Sequence, residues 1–278
     1  MSTITAQPAP SSSAAASSVK VRRVTGARVV HSEWIKLRSL RSTALTLLAA
    51  VITMIAMGWI FGWATDAYWA DMRPDEQASF SPIDATLAGY NLAQLAVGVL
   101  GVLLVTGEYA TGMIRATFGT VPKRLPVLWA KALLYAGVTF TLMLLAALVA
   151  FLGGQQLLGT HGTTLSAAGA VRAIIGVAGY LTLIGVFAVA VGFIIRSTAG
   201  GVAFLFGLLL VLPTLGLLLP ASWKQHILPY LPSNAGGSMF NTHTTTGALS
   251  ATTSLLVLLA WVAGSLTVAA LLLKRRDA

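Results

Sequence analysis

The chain has 278 residues, 56% of them hydrophobic and only 9% charged, with a net charge of +10 at pH 7 and a mean hydropathy of +0.81. A soluble domain carries about 25% charged residues, so a water-facing surface cannot be built from this set. The class is an all-α polytopic membrane protein, and the basic excess reads as cytoplasmic flanking charge rather than a nucleic-acid surface. The absence of cysteine excludes disulfides, thiolate catalysis and cysteine-based metal centres.

Residues 1–19 form an uncharged Ser/Ala/Pro tract without the basic start and apolar core of a signal peptide. A disordered cytoplasmic tail is expected over 1–25, followed by a membrane domain over 26–278. Residues 20–41 then set seven basic residues (Lys20, Arg22, Arg23, Arg28, Lys36, Arg38 and Arg41) against one acid, Glu33. Val30, Trp34 and Leu37 fall at i, i+4 and i+7, with Lys36 and Arg38 beside them. The pattern predicts an interfacial amphipathic helix, Trp34 at headgroup level and Lys36, Arg38 and Arg41 reaching anionic lipid. Ile35 lies off the stripe, and a plain basic juxtamembrane flank is the competing reading.

A bilayer core of about 30 Å needs about 20 apolar residues of helix. Charge-free windows at 44–63, 85–107, 132–152, 173–195, 200–219 and 255–273 meet that length. They predict six transmembrane helices at about 44–63, 85–107, 128–152, 173–195, 199–219 and 253–273. With the N-terminus inside, the inner segments hold 15 of the 18 basic residues, and only Arg73, Arg172 and Lys224 fall outside. Both termini are therefore expected in the cytoplasm of a plasma-membrane protein.

The first outer loop, 65–84, carries Asp66, Asp71, Asp75, Glu76 and Asp84. These acids lack a calcium-loop spacing, and the loop is expected to be solvated. Gly58 and Gly62 make a Gly-x-x-x-Gly step, a mark of close helix crossing within the chain or between two copies. Asn91, Gln94, Tyr135 and Tyr180 are polar groups inside spans, expected to bond helix to helix. Pro213 predicts a kink in span five. The segment 220–250, with Pro229, Tyr230, Pro232 and Asn234, reads as an outer gate whose irregular backbone must be shielded by protein or face water.

No phosphate-cradling loop, His-Glu-x-x-His or Gly-x-Ser-x-Gly run occurs. The four histidines, His31, His161, His226 and His243, are scattered. No catalytic residue, metal site or bound cofactor is therefore expected. The spans lack the ionisable residues that proton-coupled carriers titrate, which points to a motor elsewhere.

The sizeable inner loop is 108–131; the turn at Arg196 to Ala199 is too short to dock a partner. Met113 to Phe118 reads as a short amphipathic helix, with Met113 and Phe118 as apolar knobs around Arg115. Gly119 stops it, and Pro126 sits in the first turn of span three. Composition supports two readings: a helix that plugs a groove on a soluble partner, and a plain basic loop.

Three motifs carry a family likeness. Glu-x-x-x-Gly-x-Ile-Arg (Glu108, Gly112, Ile114, Arg115) is followed by Pro122-x-Arg124 and by Lys131 opening an apolar span. Glu33-Trp34-Ile35-Lys36-Leu37-Arg38 precedes the first span, and Leu228-Pro229-Tyr230-Leu231-Pro232-Ser233-Asn234-Ala235-Gly236 precedes the last. Their order among six spans resembles the bacterial permease subunits of ABC-2 type transporters. The resemblance implies an entry helix on the inner membrane surface and a short cytoplasmic coupling helix between spans two and three. It also implies short extracellular helices between spans five and six. By it, Glu108, Gly112, Met113, Ile114, Arg115, Phe118, Pro122, Arg124 and Lys131 form the region that docks a separate ATP-binding subunit. ATP and Mg would bind that partner, and a second permease copy or a homologous permease would complete the exporter. A non-transporting membrane anchor or assembly factor is the alternative function.

Overall fold

The computed structural model describes residues 25–39, 41–120, 124–242 and 247–275. Residues 1–24 of the expected tail, Pro122, Lys123 and His243 lie outside them. Among the described residues the chain is helical apart from short connections, and no strand occurs. Six helices are long and apolar enough to cross a membrane: Arg41–Asp71, Pro82–Ala110, Leu125–Leu157, Ala170–Ile195, Thr198–Gly216 and Ala251–Arg275. The chain is a multi-pass membrane protein.

The elements run α1 (Gly26–Ser39), α2 (Arg41–Tyr68), α3 (Pro74–Ala78), α4 (Pro82–Leu87), α5 (Tyr90–Ala110) and α6 (Met113–Thr120). They continue with α7 (Leu125–Leu157), α8 (Ala170–Ile195), α9 (Thr198–Phe206), α10 (Leu212–Gly216), α11 (Ala221–Ile227), α12 (Pro232–Phe240) and α13 (Ala251–Arg275). Helix α8 is the most deeply buried of the six crossing segments and packs against α5, α7 and α13. Its side chains are mostly small or β-branched, so neighbouring backbones come close. A Cβ added at Gly101 of α5 would stand 2.7 Å from the Gly185 carbonyl oxygen of α8.

The Gly-x-x-x-Gly step of α2 is used inside the chain. A Cβ at Gly62 would lie 2.6 Å from the carbonyl oxygen of Gly154 in α7, and one at Gly58 would meet the carbonyl of Thr86 in α4. The Trp59 indole N–H donates to the Val149 carbonyl of α7 at 3.2 Å. Three of the four polar groups expected to join helices do so, whereas the Asn91 amide donates to the Ala88 carbonyl of its own turn at 3.2 Å. The Tyr135 hydroxyl of α7 donates to the Val97 carbonyl of α5 at 2.6 Å, and the Tyr180 hydroxyl of α8 donates to Gln94 of α5.

The fifth crossing segment is not one regular helix. A π-helical turn over Gly207–Val211 separates α9 from α10, directly ahead of Pro213. Proline has no N–H to offer the preceding turn, so the widened turn is where the ladder adjusts.

The two ends of the bundle differ in charge. At one end lie α1, the α5–α6–α7 connection, Arg196 and the end of α13; this is the basic end. The other end carries the acids of 65–84. There Asp84 is no freely solvated loop residue. It accepts from the Thr242 backbone N–H at 3.0 Å and from the Thr242 hydroxyl at 3.1 Å, fixing the start of α4 to the segment after α12. Helix α12 packs between α8 and α13, with Pro232, Ala235, Gly236, Gly237 and Phe240 buried.

Candidate functional site: a buried ion cluster at the basic end

Helix α5 continues beyond its apolar window to Ala110, and α7 begins at Leu125. Glu108, expected in a loop, and Lys131, expected at the opening of span three, therefore both sit inside membrane-crossing helices. The statement that the spans are free of charge holds for their apolar windows and not for the helices as built.

Four charged side chains from three helices meet here. The Lys131 ammonium of α7 lies 2.6 Å from Glu33 Oε2 of α1 and 2.7 Å from Glu108 Oε1 of α5. The Lys36 ammonium of α1 lies 2.7 Å from Glu33 Oε1 and 3.0 Å from Glu108 Oε1. It also donates to the Thr117 hydroxyl of α6 at 3.2 Å. The side chains of Glu33, Lys131 and Glu108 are 3%, 6% and 10% exposed, so this is not a surface salt bridge. Such burial costs several kcal/mol per ion unless charge and hydrogen bonds compensate. Here the charges sum to zero and most bonds are charge-assisted. Burial works against the Lys36 ammonium, but the hydrogen bonds and charges of Glu33 and Glu108 outweigh it and raise its pKa above the ordinary lysine value. One atom is left over: Glu108 Oε2 is buried with no hydrogen-bond partner.

Glu33 is the residue that sequence reading passed over. The one acid in a basic segment was the available signal, because a lone carboxylate among lysines and arginines invites pairing. Its burial also turns α1. The face against the bundle carries Val29, Glu33 and Leu37, while Val30 and Trp34 of the expected stripe are 37% and 41% exposed. Arg38 and Arg41 are exposed, away from the cluster.

Helix α6 follows directly. Gly112 makes the turn from α5 with φ +72°, a left-handed conformation that a side chain would strain. Ile114 is 2% exposed, and Phe118 packs on Val29 of α1 and on Val127 and Ala130 of α7. The Arg124 guanidinium lies 5.5 Å from the Phe118 ring centroid and donates to the Leu273 carbonyl of α13 at 3.3 Å. Met113 is 46% exposed, and Arg115 is exposed beside it. Helix α6 is thus held from below by Ile114 and Phe118 and offers Met113 and Arg115 outward.

The short turn at Arg196 contributes to this end as well. Arg196 adopts φ 58° at the end of α8, and its guanidinium lies 5.1 Å from the Tyr109 ring centroid. Thr198 donates to Thr106 of α5 at 2.8 Å.

No family model matches the chain, and no curated protein matches it. What the end can do follows from its geometry. Among the described residues no group of three or more His, Cys, Asp or Glu can hold a metal. The cluster is a mechanical junction: it ties α1, α5, α6 and α7 at one point, so a displacement of one helix is felt by the others.

The residues expected to form an outer gate lie elsewhere. Pro232 starts α12, the Asn234 amide donates to the Leu228 carbonyl at 2.9 Å, and Pro229 lies in the 3-10 turn Leu228–Tyr230. The Tyr230 carbonyl accepts from the Trp261 indole of α13 at 3.0 Å. Tyr230 and Trp261 also line a groove of about 740 Å³ with Phe187 and Phe204.

Proposed function

We propose that this chain is the membrane-spanning permease subunit of an ATP-driven, ABC-2 type exporter in a bacterial plasma membrane. In this reading the basic end faces the cytoplasm, following the distribution of lysine and arginine, and both termini lie there. Helix α1 lies on the inner surface with Val30 and Trp34 toward lipid. Helix α6 is the coupling helix that a separate ATP-binding subunit grips, and α11 and α12 are the short extracellular helices. A second permease copy or a homologous one completes the path for a hydrophobic or amphipathic compound.

The observation that carries the reading is the construction of α6. An eight-residue helix is anchored by Ile114 and Phe118, presents Met113 and Arg115 outward, and is tied through Thr117 and Lys36 to a buried ion cluster. A plain basic loop needs neither the buried anchors nor the cluster. A push on α6 reaches Lys36, then Glu108 and Lys131, and so both α5 and α7 together; reciprocity requires that cargo in the path also alters the ATPase.

Co-expression with candidate ATP-binding subunits of the same cell tests the proposal. The chain and one of them are expected to co-purify, and Arg115→Glu is expected to weaken the pairing and cargo-stimulated ATP hydrolysis without changing the thermal stability of the permease. Full cargo export by the chain alone would overturn it.

A further inference from the structure

Helices α9 and α13 both pack on α8 and stand apart from each other, which leaves the groove of about 740 Å³ open between them. Its walls are Phe187, Val191 and Ile195 of α8, Phe204 of α9 and a strip of α13 around Trp261. Polar groups on the α13 strip are already bonded. The Trp261 indole N–H donates to the Tyr230 carbonyl at 3.0 Å, and the Ser265 hydroxyl donates to the Val262 carbonyl at 2.9 Å. The walls therefore present mainly apolar surface. The α8 wall, Phe187 to Ile195, covers about 12 Å at 1.5 Å per residue, most of one leaflet of a hydrocarbon core about 30 Å thick.

The end of the groove decides what covers it. Ile195 is followed directly by Arg196, and α9 starts two residues later at Thr198, so two walls converge at the basic end of the bundle. Arg196 holds φ 58°, a conformation in which glycine is the usual residue at a helix end, so an arginine stands there against the backbone preference. The Tyr109 hydroxyl lies within electrostatic reach of both Arg196 and Arg124. Arg124 in turn donates to the Leu273 carbonyl near the end of α13, where Lys274 and Arg275 follow, both exposed. The start of α9 adds the positive end of a helix dipole. All three walls thus end in positive charge. Over 121–124, 196–199 and 273–278 the sequence carries Lys123, Arg124, Arg196, Lys274, Arg275 and Arg276 against one acid, Asp277.

An apolar groove with a cationic mouth selects its occupant by charge. We infer that the groove between α8, α9 and α13 binds an anionic phospholipid, with its phosphate at Arg196 and an acyl chain along Ile195, Val191 and Phe187. A zwitterionic lipid would bring its own ammonium to the same guanidinium groups, and a neutral amphiphile would leave them unused. A second copy lying in the same orientation in the bilayer would set its own basic end against this one. Its Glu33 and Glu108 are buried in the ion cluster and cannot offset the repulsion. The inference rests on the spread of charge along the bundle and stands whether or not the chain is an exporter.

The test uses the full chain in phosphatidylcholine vesicles that carry a trace of phosphatidylglycerol with a diazirine in its acyl chain, or of phosphatidylcholine with the same chain. Peptide mapping is expected to find label on 187–195 and 257–265, about tenfold more from the phosphatidylglycerol probe. Arg196→Gly, whose glycine accepts the backbone conformation without strain, is expected to unfold as cooperatively as the parent. It is expected to lower the phosphatidylglycerol excess about fivefold, the effect of one basic residue near an anionic head. Label on Leu48 and Ile52, exposed on the far helix α2, is expected to stay unchanged in that variant. Arg196→Lys, which keeps the charge, is expected to retain most of the excess. Equal labelling by the two probes, an excess that survives Arg196→Gly, or one lost equally in Arg196→Lys would overturn the inference. So would label missing from the groove because adducts there join two copies of the chain.

Discussion

Replacing Lys131 by Met removes one ammonium from the cluster while keeping the length and apolar stem of the side chain. Glu33 and Glu108 then share Lys36 alone, and a net negative charge is left among side chains 3%, 10% and 26% exposed. Breaking a buried pair in this way costs about 3–5 kcal/mol, because the remaining charge is desolvated and unmatched. Two charge-assisted bonds of 2.6 and 2.7 Å vanish with it, which places the expected loss toward the upper part of that range. The double replacement Glu108→Gln with Lys131→Met leaves Glu33 and Lys36 as a neutral pair 2.7 Å apart. It is expected to recover about 2 kcal/mol relative to the sum of the two single changes, a coupling typical of residues in one network. Unfolding by sodium dodecyl sulfate in mixed micelles, followed by circular dichroism, measures all four corners of the cycle. A Lys131→Met cost below about 1 kcal/mol, or additive single costs, would show that the cluster does not hold the basic end together.

Other outcomes follow from particular contacts. Gly62→Leu is expected to destabilise by about 1–3 kcal/mol through overpacking, since even a Cβ would approach the Gly154 carbonyl at 2.6 Å. The same measurement reads it, and an unchanged midpoint would contradict the α2–α7 crossing. The raised pKa of Lys36 fixes a pH window. Its contribution is fully present below the ordinary lysine value of 10.5 and is lost as pH rises through the higher folded-state value. Relative to Lys36→Met, the parent is expected to keep a constant stability advantage between pH 7 and pH 9, by the same unfolding assay. A decline within that window would contradict the pairing with Glu33 and Glu108.

The six crossings were legible because twenty apolar residues in a row have few uses other than spanning a bilayer. Their ends were not. Glu108 and Lys131 count against a span when each is scored alone, yet each neutralises the other across 23 positions of sequence, and the helices extend to include both. The same blindness to distant partners displaced the buried face of α1 by one residue. Glu33 counts as a solvated acid in any helical-periodicity argument, whereas here it is the most buried charge of the cluster. Gly58 and Gly62 announced a close crossing but not its partner, which only the arrangement of α4 and α7 decides. Met113 to Phe118 was legible as a helix, its outward and inward residues only in part. Met113 does face outward, but Phe118, grouped with it as a knob, turns in to pack on α1 and α7.

The exporter reading is tested most directly by a cross-link. The chain has no cysteine, so Met113→Cys and Leu218→Cys each introduce a unique thiol, one on the outward face of α6 and one at the opposite end of the bundle, 82% exposed. In membranes containing the chain and an ATP-binding subunit that co-purifies with it, a short bifunctional thiol–amine reagent is expected to join the two through Met113→Cys and not through Leu218→Cys. An adduct through Leu218→Cys, or none through Met113→Cys while the two proteins co-purify, would contradict α6 as the point of attachment.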